Sequence, residues 1–313
     1  MRKITATVAF VVLAVTYLFV FCATNAKSEV KLDGFAQGIW VKNADTTSNQ
    51  FGFQTAYLHA SNKDVSIWLN LGGGEKKILS QFVWTFNVPA FKIWKLHVPE
   101  SKTCAGKIKP PASRAFCLAP WDVVTIYSPK QNDYFDSRDF GVMWVVQSKD
   151  TAFTLKAALV NGQEAVSSYS GVDSNSWKDT YVRTTVRPLS HLEVGMSARY
   201  GKAVEYDNRI IGGDIFLSYP KWTFTVESFW CEREHHTAMG YGLLTVTPAK
   251  NFVLVASAEG IGDRTTDTNV WYTTIGASYA LPDKHMRLAL NFIDPAGDSH
   301  EPAKLALQFQ HVF

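Results

Sequence analysis

Apolar and polar residues alternate with a period of two through most of the chain after residue 30. In the segment 65–71 the odd positions carry Val, Ile and Leu, and in 286–292 the even positions carry Met, Leu and Phe. The segments 192–200 and 222–230 follow the same rule. Because successive side chains of a strand point to opposite faces, this period predicts β-strands with one apolar and one polar face.

Divided in this way, the chain gives sixteen predicted strands. They span 31–43, 50–60, 64–72, 78–87, 90–98, 137–147, 152–161, 179–188, 190–200, 207–219, 221–231, 238–247, 251–260, 269–280, 284–293 and 302–313. The connections alternate between short turns and longer segments, of which 99–136 and 162–178 are the longest. This is typical of outer-membrane barrels, so we predict an all-β fold, a transmembrane antiparallel β-barrel of about 16 strands with short periplasmic turns and longer outer loops.

A soluble β-sandwich would show the same alternation, with its apolar faces turned inward. It would have no reason to sort its connections by length, however, and aromatic residues stand near the predicted strand ends. These are Trp40, Tyr219, Trp222, Trp271 and Tyr272. Aromatic girdles of this kind flank the lipid-facing band of a membrane barrel. The predicted surroundings are therefore the lipid of the outer membrane of a Gram-negative-type bacterium.

The last predicted strand carries apolar residues at Leu305, Leu307, Phe309 and the terminal Phe313. A final strand that ends in Phe resembles the signal read by the outer-membrane barrel assembly machinery, which is therefore a predicted partner. His311 interrupts the apolar face, but it would lie near the rim of the barrel, where a polar group costs little.

The N-terminus has the order of a secretory signal. Arg2 and Lys3 precede an uncharged apolar stretch that runs to Phe21, and small residues follow. We predict a signal peptide over 1–26, cleaved after Ala26, and a barrel over 27–313. An uncleaved anchor is the alternative, because a stretch of this length can just span a bilayer.

Charge and composition exclude other classes of protein. The formal net charge is +3 and falls close to zero once Arg2 and Lys3 are removed, so a nucleic-acid partner is not expected. The segment 232–236 combines carboxylates with imidazoles, but such close spacing in a hairpin loop rarely converges on one metal ion. We expect no enzymatic activity, no cofactor and no metal.

Several short segments resemble the phosphate-selective porin O and P family. The residues Ser137-Arg138-Asp139-Phe140-Gly141-Val142 are similar to the start of a strand in that family, and Val160-Asn161-Gly162 follows as its counterpart of a Phe-Asn-Gly. The segments 91–99 and 187–195 and the final hairpin, 285–291 with 304–313, are similar to further family motifs. The resemblance implies a porin that passes small solutes, with sixteen strands, a homotrimer, and a third long loop folded into the lumen, here 99–136.

This loop carries four cations and no acid between Ser101 and Cys117. They are Lys102, Lys107, Lys109 and Arg114. Rings of Lys or Arg select anions in pores, so we predict an anion-preferring constriction here. The alternative is a solvated outer loop. Cys104 and Cys117 lie in the same loop of an exported protein, so they are either a disulfide or two free thiols.

The alternation also places charges of both signs on the side that faces the lumen. The basic ones are Lys156, Arg183, Arg187, Arg199, Arg287 and Lys304; the acidic ones are Glu193, Asp214, Glu227 and Glu259. On the lipid side we expect Leu69, Val194, Phe224, Leu290, Leu307 and Phe309. The sequence thus favours a porin for small hydrophilic solutes with a lean towards anions such as phosphate. A non-conducting barrel with a structural or adhesive role is the alternative.

Overall fold

The computed structural model describes residues 31–43, 49–61, 65–72, 81–89, 91–93, 96–98, 101–118, 125, 129–135, 139–161, 178–202, 207–233, 235–281 and 286–312. The predicted signal peptide lies outside these residues. None of the helices in this part of the chain is long and apolar enough to cross a membrane.

Eighteen strands and two short helices make up the described chain. The strands are β1 Lys31–Asn43, β2 Asn49–Ser61, β3 Val65–Gly72, β4 Gln81–Val88, β5 Phe91–Ile93, β6 Leu96–Val98, β7 Ser101–Ile108, β8 Asp139–Gln147, β9 Phe153–Val160, β10 Asp179–Leu189, β11 Leu192–Lys202, β12 Asp207–Tyr219, β13 Trp222–Glu232, β14 His236–Ala249, β15 Phe252–Asp263, β16 Thr268–Ala280, β17 Met286–Gly297 and β18 Lys304–Val312. Helix α1 spans Arg114–Cys117, and a 3₁₀ helix spans Lys130–Tyr134.

Sixteen of the strands form one closed antiparallel barrel, and β5 and β6 pair only with each other. The barrel closes where β1 pairs with β18, from Phe35 opposite Val312 to Asn43 opposite Lys304. Closure leaves no row of unpaired backbone groups at a sheet edge, as a wall surrounded by lipid requires. The fold is therefore the predicted transmembrane type of β-barrel.

One predicted strand and one predicted loop boundary are wrong. The segment 90–98 is not a wall strand but the small β5–β6 hairpin, and the fifth wall strand is β7, inside the predicted loop 99–136. The outward positions of β7 are Thr103, Ala105 and Lys107, and Gly106 has a φ of +119°. Without large apolar residues on one face, this strand lacks the period that identified the others.

The two faces of the wall differ in chemistry as the alternation requires. The outward side chains of Val194, Phe224, Leu290, Leu307 and Phe309 are 36% to 45% exposed, which in a membrane is contact with lipid. The inward side chains of the charged residues are shielded, with Arg183 and Arg199 each 4% exposed and Glu227 1% exposed. Arg287 shares the inward face of β17 with the buried Ala289, and the side chain of Leu69 lies outside the described part.

Aromatic residues cluster at the end of the barrel that carries the short turns. Tyr219 stacks on Trp222 across the β12–β13 turn, with ring centroids 4.5 Å apart, and His191 lies 5.0 Å from Tyr219. Trp271 is exposed on the outer face near the opposite end of the wall. Tyr272 was predicted to join the girdle, but its parity on β16 turns it into the lumen, where it lies beside Lys130.

Candidate functional site: the barrel lumen

Part of the chain between β7 and β8 lies inside the barrel. This inward segment, defined here as the described residues 109–118, 125 and 129–135, contacts acidic side chains on three wall strands. The backbone N–H of Ala115 donates to Oε1 of Glu227 on β13 at 2.6 Å, and the backbone N–H of Lys130 donates to Oε2 of Glu259 on β15 at 2.7 Å. Arg114 forms an ion pair with Glu193 on β11.

Helix α1 is only one turn long, so local contacts define its ends. Ser113 caps the N-terminus, where its Oγ accepts from the backbone N–H of Phe116 at 2.9 Å. At the other end, Lys109 Nζ donates to the carbonyl of Leu118 at 3.3 Å and lies 4.7 Å from the centre of the Phe116 ring. Pro110 and Pro111 immediately before the cap are fully buried. These contacts fix the path of residues 109–118 inside the lumen.

An apolar cluster holds the inward segment against the wall. The rings of Phe116 and Phe135 lie 5.5 Å apart, and Phe135 packs edge-on against Phe229 of β13 at 5.2 Å. Inward residues of neighbouring strands complete the cluster, among them Ile108, Val160, Ile210, Cys231 and Met239. Each fully buried apolar side chain of this size contributes roughly 1.5–3 kcal/mol. Phe116 of helix α1 and Phe135 after the 3₁₀ helix thus attach both helices to the same part of the wall.

A second attachment joins the 3₁₀ helix to the connection between β17 and β18. Glu301 accepts from Lys130 Nζ at 3.0 Å and from Lys304 Nζ at 2.7 Å. The hydrogen bond from Lys304, followed by that from Lys130, lowers the pKa of Glu301 below its ordinary value. The guanidinium of Arg233 adds a bond to the carbonyl of Tyr134.

The four predicted loop cations do not form one group. Lys102 and Lys107 belong to the wall strand β7, so their placement in the loop is wrong. Lys107 lies opposite Phe140, which is 43% exposed, and so it stands on the outer face, one residue from the end of the strand. Lys102 lies opposite Val145 and faces the lumen. Only Lys109 and Arg114 belong to the inward segment.

A basic row crosses the inner wall from β7 to β10. Lys102 and Lys156 lie on either side of Val145, and Lys156 lies opposite Arg183. Arg183 is bound to Asp214 through two hydrogen bonds of 2.6 and 3.0 Å and to Ser197 at 2.9 Å. No hydrogen bond or ion pair joins Lys102 or Lys156 to another residue in the described ranges.

The remaining predicted lumen charges form separate contacts. Arg187 Nε donates to Glu193 Oε2 at 2.8 Å, so Glu193 holds both Arg187 and Arg114. Arg199 pairs with Asp179, a buried acid that the sequence reasoning missed. Asp179 lies four residues before Arg183 on the same strand, so the period-two alternation places both side chains on the lumen side.

Two glycines make room for the buried ion pairs. A Cβ on Gly195 would overlap the carboxylate of Asp214 and the guanidinium of Arg183, and a Cβ on Gly201 would overlap the carboxylate of Asp179. At Gly195 the missing side chain lets Arg183 of β10 meet Asp214 of β12 across β11.

Of the two alternatives for Cys104 and Cys117, a disulfide or two free thiols, both residues are free thiols. Cys104 faces inward on β7 and lies 3.5 Å from Thr85 Oγ1, whereas Cys117 ends helix α1 and lines a cavity in the lumen. The alternative of two unpaired thiols is the one found, because one cysteine belongs to the wall and the other to the inward segment.

Two cavities flank helix α1. One of about 350 Å³ lies on the side of β8 to β11 and is lined by Lys156, Arg183, Arg187 and Glu193. The other, of about 320 Å³, lies on the side of β12 to β15, where Phe216, Leu243 and several threonines line it. Arg114 and Leu118 border both cavities.

In the described ranges, no group of three or more His, Cys, Asp or Glu side chains could hold a metal ion. In the segment 232–236, His235 turns towards Asp263, with 3.6 Å between Nδ1 and Oδ2, while Glu232 accepts a hydrogen bond from Trp230.

The sequence matches no protein-family model and no curated protein. Solved structures with the same architecture are outer-membrane barrels. OmpT, an outer membrane protein of Vibrio cholerae in a trimer form, has a TM-score of 0.68 and 10% identity over 91% of this chain and 99% of that one. The anion-selective porin from Comamonas acidovorans has a TM-score of 0.63 and 10% identity over 92% of this chain and 100% of that one.

The outer membrane channel DcaP of Acinetobacter baumannii is similar as well, with a TM-score of 0.62 and 11% identity over 92% of this chain and 98% of its own. At these identities the likeness shows the fold. The chain has the barrel architecture of outer-membrane porins.

Proposed function

We propose that the protein is an outer-membrane porin for the passive diffusion of small hydrophilic solutes, exported by a cleaved signal peptide over 1–26. The support is a closed wall with an apolar outer face, a charged inner face and a segment anchored inside the lumen. Solved barrels of the same architecture include proteins described as porins and channels. The proposed activity is transport without chemical conversion of the solute.

We further propose a modest preference for anions, phosphate among them. The observation that carries it is an asymmetry between the two signs of charge. The inward segment covers the acids Glu193, Glu227 and Glu259 with its own donors, whereas Lys102 and Lys156 face the lumen with no partner among the described residues. Uncompensated cations between walls of low dielectric raise the local concentration of anions.

Single-channel recording in a planar bilayer tests both levels of the proposal. Stable open steps are expected in potassium chloride, and a salt gradient should give a zero-current potential on the anion-selective side. The double variant Lys102→Gln, Lys156→Gln should move that potential towards cation selectivity. The matched control Lys149→Gln, Lys221→Gln changes two exposed lysines in short turns and should leave it unchanged. If the zero-current potential of the first variant equals that of the unchanged protein, Lys102 and Lys156 do not cause the anion preference.

A non-conducting barrel with a structural or adhesive role is the second candidate. The observation in its favour is the apolar cluster around Phe116, Phe135 and Phe229, which fills part of the lumen rather than leaving it to water. Folded protein that inserts into the bilayer without any open steps would establish this alternative and rule out the porin.

We also propose a homotrimer that is inserted by the barrel assembly machinery through its last strand. The support for the trimer is the fold shared with the trimer form of OmpT of Vibrio cholerae. The support for assembly is the lipid-facing row of Leu305, Leu307 and Phe309. Chemical crosslinking in native membranes should give a band at three times the mass of the chain.

A further inference from the structure

The lumen offers a charged compartment and an apolar compartment side by side. The two cavities beside helix α1 share Arg114 and Leu118 as part of their lining. Each has a volume in the lower range of pockets that bind small molecules. A solute that spans the helix would therefore meet both environments at once.

The charged compartment can hold one carboxylate. It is lined by Arg114, Lys156, Arg183 and Arg187, with Glu193 as the one acid in its lining. Glu193 and Asp214 neutralise part of this charge through their ion pairs with Arg187, Arg114 and Arg183. Lys156 has no such partner in the described ranges, and half of the Arg187 side chain is exposed. A basic excess therefore remains for an anion.

The second compartment can hold a short hydrocarbon group. The guanidinium of Arg114 lies 3.5 Å above the ring of Phe216, so the basic part of the lining passes directly into an aromatic face. Phe216 and Leu243 lie on the same cross-strand row, with Thr225 between them. Two strand spacings separate them, which is about 10 Å. Leu118 and Val253 extend the apolar lining on either side.

We propose that these two compartments form one binding site for small amphipathic carboxylates. The carboxylate binds Lys156 and Arg187, and the aliphatic or aromatic part of the solute lies on Leu118 and Phe216 beside Arg114. The inference names the solute class of the porin function proposed above and rests on it for transport, although binding itself does not require an open channel. A phosphate ion would use only the first compartment.

Affinity for a series of straight-chain carboxylates tests the site. Isothermal titration calorimetry on the protein in lipid nanodiscs, with empty nanodiscs subtracted, should show that binding tightens from acetate to butanoate to hexanoate. The expected gain is roughly two- to four-fold per methylene group. Hexanoate should also block the open channel in the planar bilayer at lower concentration than acetate does. 1-Hexanol and inorganic phosphate serve as probes of the tail alone and the charge alone, and both should bind more weakly than hexanoate.

Two single variants test the contacts of the carboxylate and of the hydrocarbon part of the solute separately. Lys156→Gln should weaken acetate and hexanoate by the same factor, about five- to ten-fold, because only the charge is lost. Leu118→Thr should weaken hexanoate alone and bring it close to acetate, because Leu118 lines both cavities, and threonine already lines the apolar one at 225 and 245. The matched controls are Lys221→Gln in an exposed turn and Leu254→Thr on the outer face, and neither should change any affinity. Heat-dependent gel mobility verifies that each variant folds.

The outcomes distinguish this inference from the porin proposal. Open steps with equal affinity for acetate and hexanoate would keep the porin and overturn the site. A chain-length series without open steps would keep the site and overturn the porin. A Leu118→Thr variant that retains the full preference for hexanoate would overturn the assignment of the apolar compartment.

Discussion

The backbone N–H of Ala115 donates to the buried carboxylate of Glu227 across 112 residues of sequence, at 2.6 Å. Ala115 is the second residue of helix α1, and Glu227 lies in the middle of β13 with 1% of its surface exposed. One wall carboxylate thus satisfies a backbone donor that the short helix cannot satisfy itself. This contact holds helix α1 against the wall.

Replacing Glu227 by Ala should loosen the inward segment and widen the pathway. The variant leaves the N–H of Ala115 buried without an acceptor, which costs roughly 1–3 kcal/mol. We expect a larger and noisier single-channel conductance than in the unchanged protein. Glu227→Gln is the control, because its amide oxygen can still accept the bond, and its conductance should stay near the original. Equal conductance in all three proteins would mean that this contact does not position the segment.

Replacing Gly195 by Ala should break the buried pair of Arg183 and Asp214, because the added methyl group occupies the space of both charged groups. Disturbing one side of a buried pair costs on the order of 1–3 kcal/mol, so the urea midpoint of unfolding in lipid should fall measurably. Gly242→Ala is the matched control, since its Cβ would meet no atom closer than 4.0 Å. The idea fails if the two variants unfold at the same urea concentration.

The attachment of the 3₁₀ helix should weaken in acid. The pKa of Glu301 is lowered in the folded protein from its ordinary 4.5 by Lys304 first and by Lys130. A depressed pKa means that the stabilisation is present above pH 4.5 and is lost as the pH falls through the folded-state value. Hydrogen–deuterium exchange of residues 130–134, corrected for intrinsic rates, should therefore speed up as the pH falls below 4.5.

Glu301→Gln provides the control for this pH dependence. The amide cannot titrate, so the corrected exchange should be faster than in the unchanged protein at pH 7 and should show a smaller step in acid, with any remainder coming from other carboxylates that contact this helix, such as Glu259. A step of the same size in the variant would assign the pH dependence to another group.

The free thiols predict a definite order of chemical labelling. Cys117 lines the lumen and should react with a small anionic thiol reagent in the folded barrel, whereas Cys231 is only 1% exposed and should react after unfolding. Mass spectrometry of tryptic peptides measures both rates. Labelling of Cys117 should also reduce the conductance, and Cys117→Ser should abolish that effect. Recovery of a peptide joined through residues 104 and 117 from the non-reduced protein would contradict the structure.

The strands from β8 to β18 were visible in the sequence because lipid and water impose opposite requirements on alternate residues. Val194 is apolar and faces lipid, whereas its neighbour Glu193 is charged and faces the lumen. This alternation repeats along each strand. At β7 the requirement is weaker. Thr103 and Ala105 meet lipid without being strongly apolar, so the sequence pattern at this strand predicts a loop.

The contacts of the inward segment could not be read from the sequence. Arg114 meets Glu193 at a separation of 79 residues, and Lys130 meets Glu301 at a separation of 171. Such pairs depend on the closure of the whole barrel and not on any local pattern. The four cations between residues 102 and 114 suggest one basic loop in the sequence. In the structure, the alternation of side chains along β7 turns Lys102 to the lumen and Lys107 to the outer face.

The pairing of β1 with β18 has a consequence for how the molecule forms. This seam joins residues almost the full length of the chain apart, and a contact of that separation carries the largest loss of chain entropy. The seam is therefore expected to form last. The acceptors of the inward segment on β11, β13 and β15 belong to successive hairpins that form from nearby residues. The segment can thus settle on an open, curved sheet, and the sheet then closes around it.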